Sequence, residues 1–305
     1  MALTVVLAVL AALANATASV LQRKGARRQS RGHSMSVGML WNLAHDPAWL
    51  AGVATILTGF VLQAAALATG PITLIQPLLV TELGLTLVLS SLLLHTRLRA
   101  REWSAVAGMS AGIALLLVCL RPSSGKVNDV PVTSWLLGAG VTLAVIATLV
   151  AIGYRHRGTR RAAYLGVASG MYFGFLAALV SGMAAAFADG IDGVFGAWQT
   201  YAVLVAGPSG FLLLQNTLRA GSLVASQPGL TLANPLVSIG WGVAVFGEHV
   251  QGGGWIAGQV FGAAFIAACT LLLVRSPLLQ GESGEPGESE VDEKAESPGL
   301  PAQPT

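Results

Sequence analysis

Charge is scarce in this sequence. Asp, Glu, Lys and Arg make up 10% of its 305 residues, and seven of the fourteen acids fall in the tail beyond Pro277. A soluble domain carries roughly 25% charged residues, so a chain this poor in charge cannot cover a water-facing surface. Cysteine is nearly absent too. Cys119 and Cys269 fall late in separate apolar segments, expected near opposite membrane faces, which excludes a disulfide between them. The five histidines, His33, His45, His95, His156 and His249, lie between or at the ends of apolar segments and form no ligand cluster. No phosphate loop or nucleophile elbow is present. The chain therefore reads as a non-enzyme, with no cofactor implied, no assigned metal ligands and no nucleotide-driven pumping.

Apolar sequence fills the space that charge leaves. Apolar residues reach 54%, and the mean hydropathy is +0.69. Crossing the hydrocarbon core takes about 20 apolar residues in a helix. Nine segments meet that length: 4–21, 48–69, 71–94, 103–121, 133–153, 163–188, 198–217, 221–246 and 254–275. They lack the alternation of a barrel strand, so the fold class expected is an all-α polytopic membrane protein with nine transmembrane helices. In the first span, Arg23, Lys24, Arg27 and Arg28 follow the apolar run instead of preceding it. That is the reverse of a secretory signal, so the segment is expected to remain as helix one.

The basic residues alternate in space. Arg23, Lys24, Arg27, Arg28, Arg31, Arg97, Arg99, Arg101, Arg155, Arg157, Arg160, Arg161, Arg219, Arg275 and Lys294 fall on one side, and only Arg121 and Lys126 on the other. Positive-inside bias predicts an external N-terminus and a cytoplasmic C-terminus in the plasma (inner) membrane. Contact with lipid headgroups accounts for these clusters, and no nucleic-acid partner is implied. Residues 277–305, rich in Gly, Pro, Ser and acids, are expected to be a disordered cytoplasmic tail.

An internal repeat links helices two to four with helices seven to nine. Gly70 precedes Gln76-Pro77 at the spacing with which Gly221 precedes Gln227-Pro228, and Trp103 and Trp255 each open the next span. Gly108 and Gly112 in helix four, and Gly254, Gly258 and Gly262 in helix nine, share a small-xxx-small spacing, as do Gly166, Gly170 and Gly174 in helix six. The copies are offset by five helices, an odd number, so they run in opposite senses through the membrane. The expected units are 1–153 (helices 1–5) and 154–276 (helices 6–9), two inverted-topology repeats as in alternating-access transporters. The glycines serve packing within one chain or a homodimer through helices four and nine.

Glu82 is the one acid at the middle of a span, with no base at that depth. A carboxylate there needs a retained proton, a bound cation or a water-filled cavity; a neutral Glu bonded to a neighbouring helix is the plainer alternative. Gln227, Thr231, Asn234 and Ser238 share one helical face, and Asn234 falls close to the repeat-related position of Glu82. Glu82, Thr86 and Ser90 form a second stripe, and Asn15 with Ser19 a third. Each stripe either lines a site or bonds between helices as packing glue. Pro77, Pro228 and Pro235 lie inside spans and free the carbonyls of Thr73, Val224 and Thr231. With Gln76 they would give an oxygen-rich centre suited to a cation or the polar part of an organic solute.

Three stretches carry a family resemblance: 19–28 (SVLQRKGARR), 66–94 (ALATGPITLIQPLLVTELGLTLVLSSLLL) and 215–235 (QNTLRAGSLVASQPGLTLANP). Through them the chain resembles the drug/metabolite transporter superfamily, EamA-like, and within it the NIPA-type magnesium transporters. The resemblance implies secondary or facilitated transport of a small molecule or cation in the lipid bilayer. Glu82 stands where those relatives are expected to carry a small or hydroxyl residue. Substrate binding is therefore assigned to Glu82, Asn234, Gln227, Thr231, Gln76 and Asn15 on their own chemistry. A scaffold that transports nothing and displays the acidic tail is the rival from another class.

Overall fold

The computed structural model describes residues 1–29, 47–94, 99–123, 125–221 and 223–274. The acidic tail lies outside the described residues, as do His33, His45, His95 and Asp46. Among the described residues the fold is helical throughout. In chain order the helices are α1 (Ala2–Gln29), α2 (Pro47–Thr69), α3 (Ile72–Leu79), α4 (Thr81–Leu94), α5 (Ala100–Leu120), α6 (Val132–Arg155), α7 (Thr159–Ala185), α8 (Gly190–Gly196), α9 (Trp198–Arg219), α10 (Leu223–Ala244) and α11 (Trp255–Val274). Lipid cannot satisfy backbone polar groups, so each apolar run closes its own hydrogen bonds as a helix. The runs stop where the chemistry demands it. Gly70-Pro71 separates α2 from α3, and α5 ends on Arg121 at φ 36°, with Pro122 unable to continue the turn.

Eight stretches of the described residues are long and apolar enough to cross a membrane, against nine expected. The segment read as 221–246 does form a helix, α10, but it is not one of the eight. Its polar stripe and two prolines dilute the apolar character that the other spans carry. The span read as one helix over 71–94 is also different: it is α3 and α4, broken at Val80. Pro77 cannot donate, and the Val80 amide turns back to the Pro77 carbonyl at 3.2 Å.

Three pairings build the bundle: α1 with α2, α7 with α10, and α5 with α11. In the last pair, a Cβ at Gly112 would fall 2.9 Å from Ile266 Cγ1, and one at Gly262 3.1 Å from Leu116 Cβ. The small-residue faces of helices four and nine (here α5 and α11) thus pack on each other inside one chain, in line with the packing alternative, and a homodimer through them is not supported. Cys119 and Cys269 lie in this interface, both buried and free. Large apolar side chains of α6, α9 and α11, among them Leu137, Val205 and Phe261, face outward, as a lipid-facing surface requires.

Candidate substrate cavity

Glu82 enters the first turn of α4 because the chain breaks at Val80. An acidic group is favoured there by the amides at a helix start. It borders a cavity of about 370 Å³ walled by α1, α2, α3, α4, α7 and α10. All six residues selected from the sequence, Asn15, Gln76, Glu82, Gln227, Thr231 and Asn234, line this one cavity, together with Ser19 and Thr86. Asn15 reaches Glu82 as a hydrogen-bonding partner. Gln76 is 2% exposed, and its amide nitrogen has no hydrogen-bond partner among the described residues.

Close approach of α7 turns the α10 stripe toward the cavity. A Cβ at Gly170 would fall 2.5 Å from the Leu230 carbonyl oxygen, and one at Gly174 2.7 Å from that of Asn234. Glycine lets one side of α10 rest closely on α7, and the adjoining face, with Gln227, Thr231 and Asn234, borders the cavity. Ser238 does not share it. That side chain is fully buried, with its hydroxyl 3.4 Å from the Gly174 carbonyl and 3.5 Å from Asn234 Oδ1, so it serves packing. Ser90 does not line the cavity either, and the Thr86 hydroxyl donates to the Glu82 carbonyl at 2.8 Å. The expected centre of freed carbonyls is only partly assembled. Thr231 lines the cavity, whereas Thr73 and the prolines Pro77, Pro228 and Pro235 do not.

The far end of the bundle has opposite chemistry. Trp135 packs on Trp198, Trp241 and Phe246 with ring centroids 5.3 Å apart in each pair, and Phe175 lies 5.4 Å from Trp241. The Trp241 indole donates to Thr142 Oγ1 at 3.1 Å, which satisfies its one polar group. Beside this cluster, Glu248 reaches from the α10–α11 loop to the start of α3. Its Oε1 accepts the Ile72 amide at 2.8 Å and its Oε2 the Thr73 amide at 3.0 Å. The loop is held in turn by backbone bonds from Ser123 to His249, Lys126 to Phe246 and Gln251 to Leu120. Burial pushes the Glu248 carboxyl above its ordinary 4.5, against the pull of the two amides.

A family model described as magnesium transporter NIPA matches residues 1–206. The chain belongs to the NIPA magnesium transporter family. An uncharacterized protein of Corynebacterium glutamicum is 30% identical over 256 residues, which cover 83% of this chain and 88% of that protein. No solved structure matches the chain. Family membership makes this a multi-pass membrane transporter, in keeping with the eight stretches among the described residues that are long and apolar enough to cross a membrane. The part that matches the NIPA model holds Asn15, Gln76 and Glu82, while Gln227, Thr231 and Asn234 lie beyond it.

Reading the sequence missed Gln63, Phe60 and Phe173, which also line the cavity. An isolated amide inside span 48–69 was the available signal for Gln63; the two phenylalanines are indistinguishable in sequence from lipid-facing ones. Glu248 lies outside the nine apolar segments, and the sequence marks it only as a loop acid. Its partner Ile72 lies 176 residues away, and no local pattern announces such a contact.

Proposed function

We propose that this protein is a secondary transporter that moves magnesium by alternating access between two inverted halves, 1–153 and 154–276. In this reading α10 is a ninth crossing, the N-terminus is external, the C-terminus is cytoplasmic, and the membrane is the plasma (inner) membrane. The observation that carries it is the cavity itself. One carboxylate, Glu82, stands among carboxamides and hydroxyls contributed by both halves. Gln76 and Gln227, which occupy equivalent places in the two Gln-Pro motifs, both face it. Supporting the same reading, α5 and α11, the helices opened by Trp103 and Trp255, pack side by side. Magnesium is bound through one or two carboxylates and keeps several waters, which suits a wall with a single acid.

A small organic solute is the second reading. It is favoured by Phe60, Phe173, Leu176 and Leu230 on the cavity wall and by a volume near the lower end of small-molecule sites. The deciding experiment is magnesium flux into proteoliposomes, wild type beside Glu82→Gln. Flux in the wild type that falls at least about a hundredfold in the variant establishes the magnesium reading. Proton movement that needs an added organic solute selects the second reading. Folded protein silent to both fits a scaffold that transports nothing.

A further inference from the structure

We infer that the cavity recognises magnesium as the hydrated ion, through hydrogen bonds from its coordinated waters to carboxamide oxygens, with Glu82 as the one charged partner. The inference rests on the magnesium reading above and goes beyond it to the form of the substrate and the groups that select it.

Ligand count comes first. A dehydrated magnesium ion demands six oxygens in near-octahedral order at about 2.0–2.1 Å and gives up its waters reluctantly. The cavity offers one carboxylate, and among the described residues no group of three His, Cys, Asp or Glu is placed to hold a metal. The wall therefore lacks the charged oxygens that would compensate the loss of water.

Size agrees. Six waters take about 180 Å³ at roughly 30 Å³ each, and the cavity measures about 370 Å³. The hydrated ion fits with room for a few further waters. Closing such a space onto a bare ion would need the walls to collapse by several ångströms.

Hydrogen-bond polarity is the third point. A water bound to magnesium directs its lone pair at the metal and presents only hydrogens outward, so its partners must be acceptors. Asn15, Gln63, Gln76, Gln227 and Asn234 supply five carboxamide oxygens, and among the described residues no Lys, Arg or His lines the cavity. Carboxamides also donate, and this lets them bond one another and stay ordered without adding charge. Gln76 is buried and lines the cavity. Its nitrogen, unpartnered among the described residues, is a donor that a magnesium-bound water cannot satisfy, so it is left to a free water while the carboxamide oxygen serves the hydrated ion.

The test uses cobalt(III) hexaammine, an exchange-inert cation of similar size whose six ammonia ligands present only N–H donors. It is applied to the full-length protein, with binding read by calorimetry in nanodiscs of neutral lipid and magnesium flux read in proteoliposomes of the same lipid. The hexaammine should bind, be displaced competitively by magnesium and block its flux. Both cations should bind at least tenfold more weakly to Gln227→Leu and Asn234→Leu. Glu82→Gln should lose both, and a thermal melt of each variant confirms that it is folded. If magnesium binds and is transported while a hundredfold excess of hexaammine fails to displace it, the ion is held by direct coordination. The hydrated-ion inference is then overturned and the transport reading stands. If folded wild-type protein neither binds nor moves magnesium, both are overturned.

Discussion

Two glutamates meet the broken span at its two helix starts, Glu248 at the head of α3 and Glu82 within the first turn of α4. Glu248 is 3% exposed, and each of its oxygens accepts a backbone amide. Glu82 is half-buried beside a cavity, with Asn15 as its hydrogen-bonding neighbour. The surroundings differ in the same direction. Around Glu248 stand an indole cluster and a loop stapled by backbone bonds; around Glu82 stand the carboxamides of the cavity wall. A carboxylate whose acceptor sites are filled by the fold has little left for a ligand. One that faces open polar space keeps that capacity. The first ties the α10–α11 loop to the start of α3, and the second has the capacity that the proposed substrate role requires.

The comparison breaks if the two residues exchange phenotypes. Glu82→Gln should lower magnesium flux by at least about a hundredfold while shifting the melting temperature by only a few degrees, measured on the same reconstituted sample. Glu248→Ala should do the reverse. It strands the Ile72 and Thr73 amides, and a buried donor left unpaired costs about 1–3 kcal/mol, so the melting temperature should fall clearly. A Glu248→Ala protein as stable as the wild type would show that the amides find other partners.

A smaller effect sharpens the boundary between site and frame. Gly170→Ala places a Cβ against the Leu230 carbonyl oxygen, and overpacking of this kind costs about 1–3 kcal/mol. Because it pushes α10 off α7, the affinity for magnesium should fall together with the melting temperature. Gly207→Ala meets nothing within 4 Å and should change neither.

The smallest effect is one of pH. Burial holds the Glu248 carboxyl above its ordinary 4.5, so the folded protein keeps this proton to a higher pH than the unfolded chain does. Across the window between the two values the folded state binds the extra proton, and stability falls as pH rises. Melting temperatures measured upward from about pH 4.5 should show that decline in the wild type. They should lose the step in Glu248→Gln, which cannot titrate.

Much of the site was legible because its signals are local. Gln227, Thr231 and Asn234 share a face by helical spacing alone, and a lone acid in an apolar span stands out against its neighbours. Ser238 carries the same spacing and still falls outside the cavity, because the Gly174 carbonyl of another helix lies next to it. Likewise the stripes in α5 and α11 read in sequence as an internal contact, with a dimer surface as the alternative, until Gly112 is found against Ile266. Spacing places a residue on a face, and only packing chooses what that face meets.

By itself, then, the sequence determined that the chain is a helical membrane protein, where most crossings begin and end, and which polar residues leave the apolar pattern. Those features depend on the transfer of short segments from water to lipid, which neighbouring residues decide among themselves. Tertiary structure alone decided that six scattered polar residues share one cavity, that the span before Glu82 is broken, and that Glu248 closes the head of α3 from 176 residues away. Those depend on which helices come close enough to touch, and that follows from the fit of glycines, prolines and bulky rings across the whole bundle.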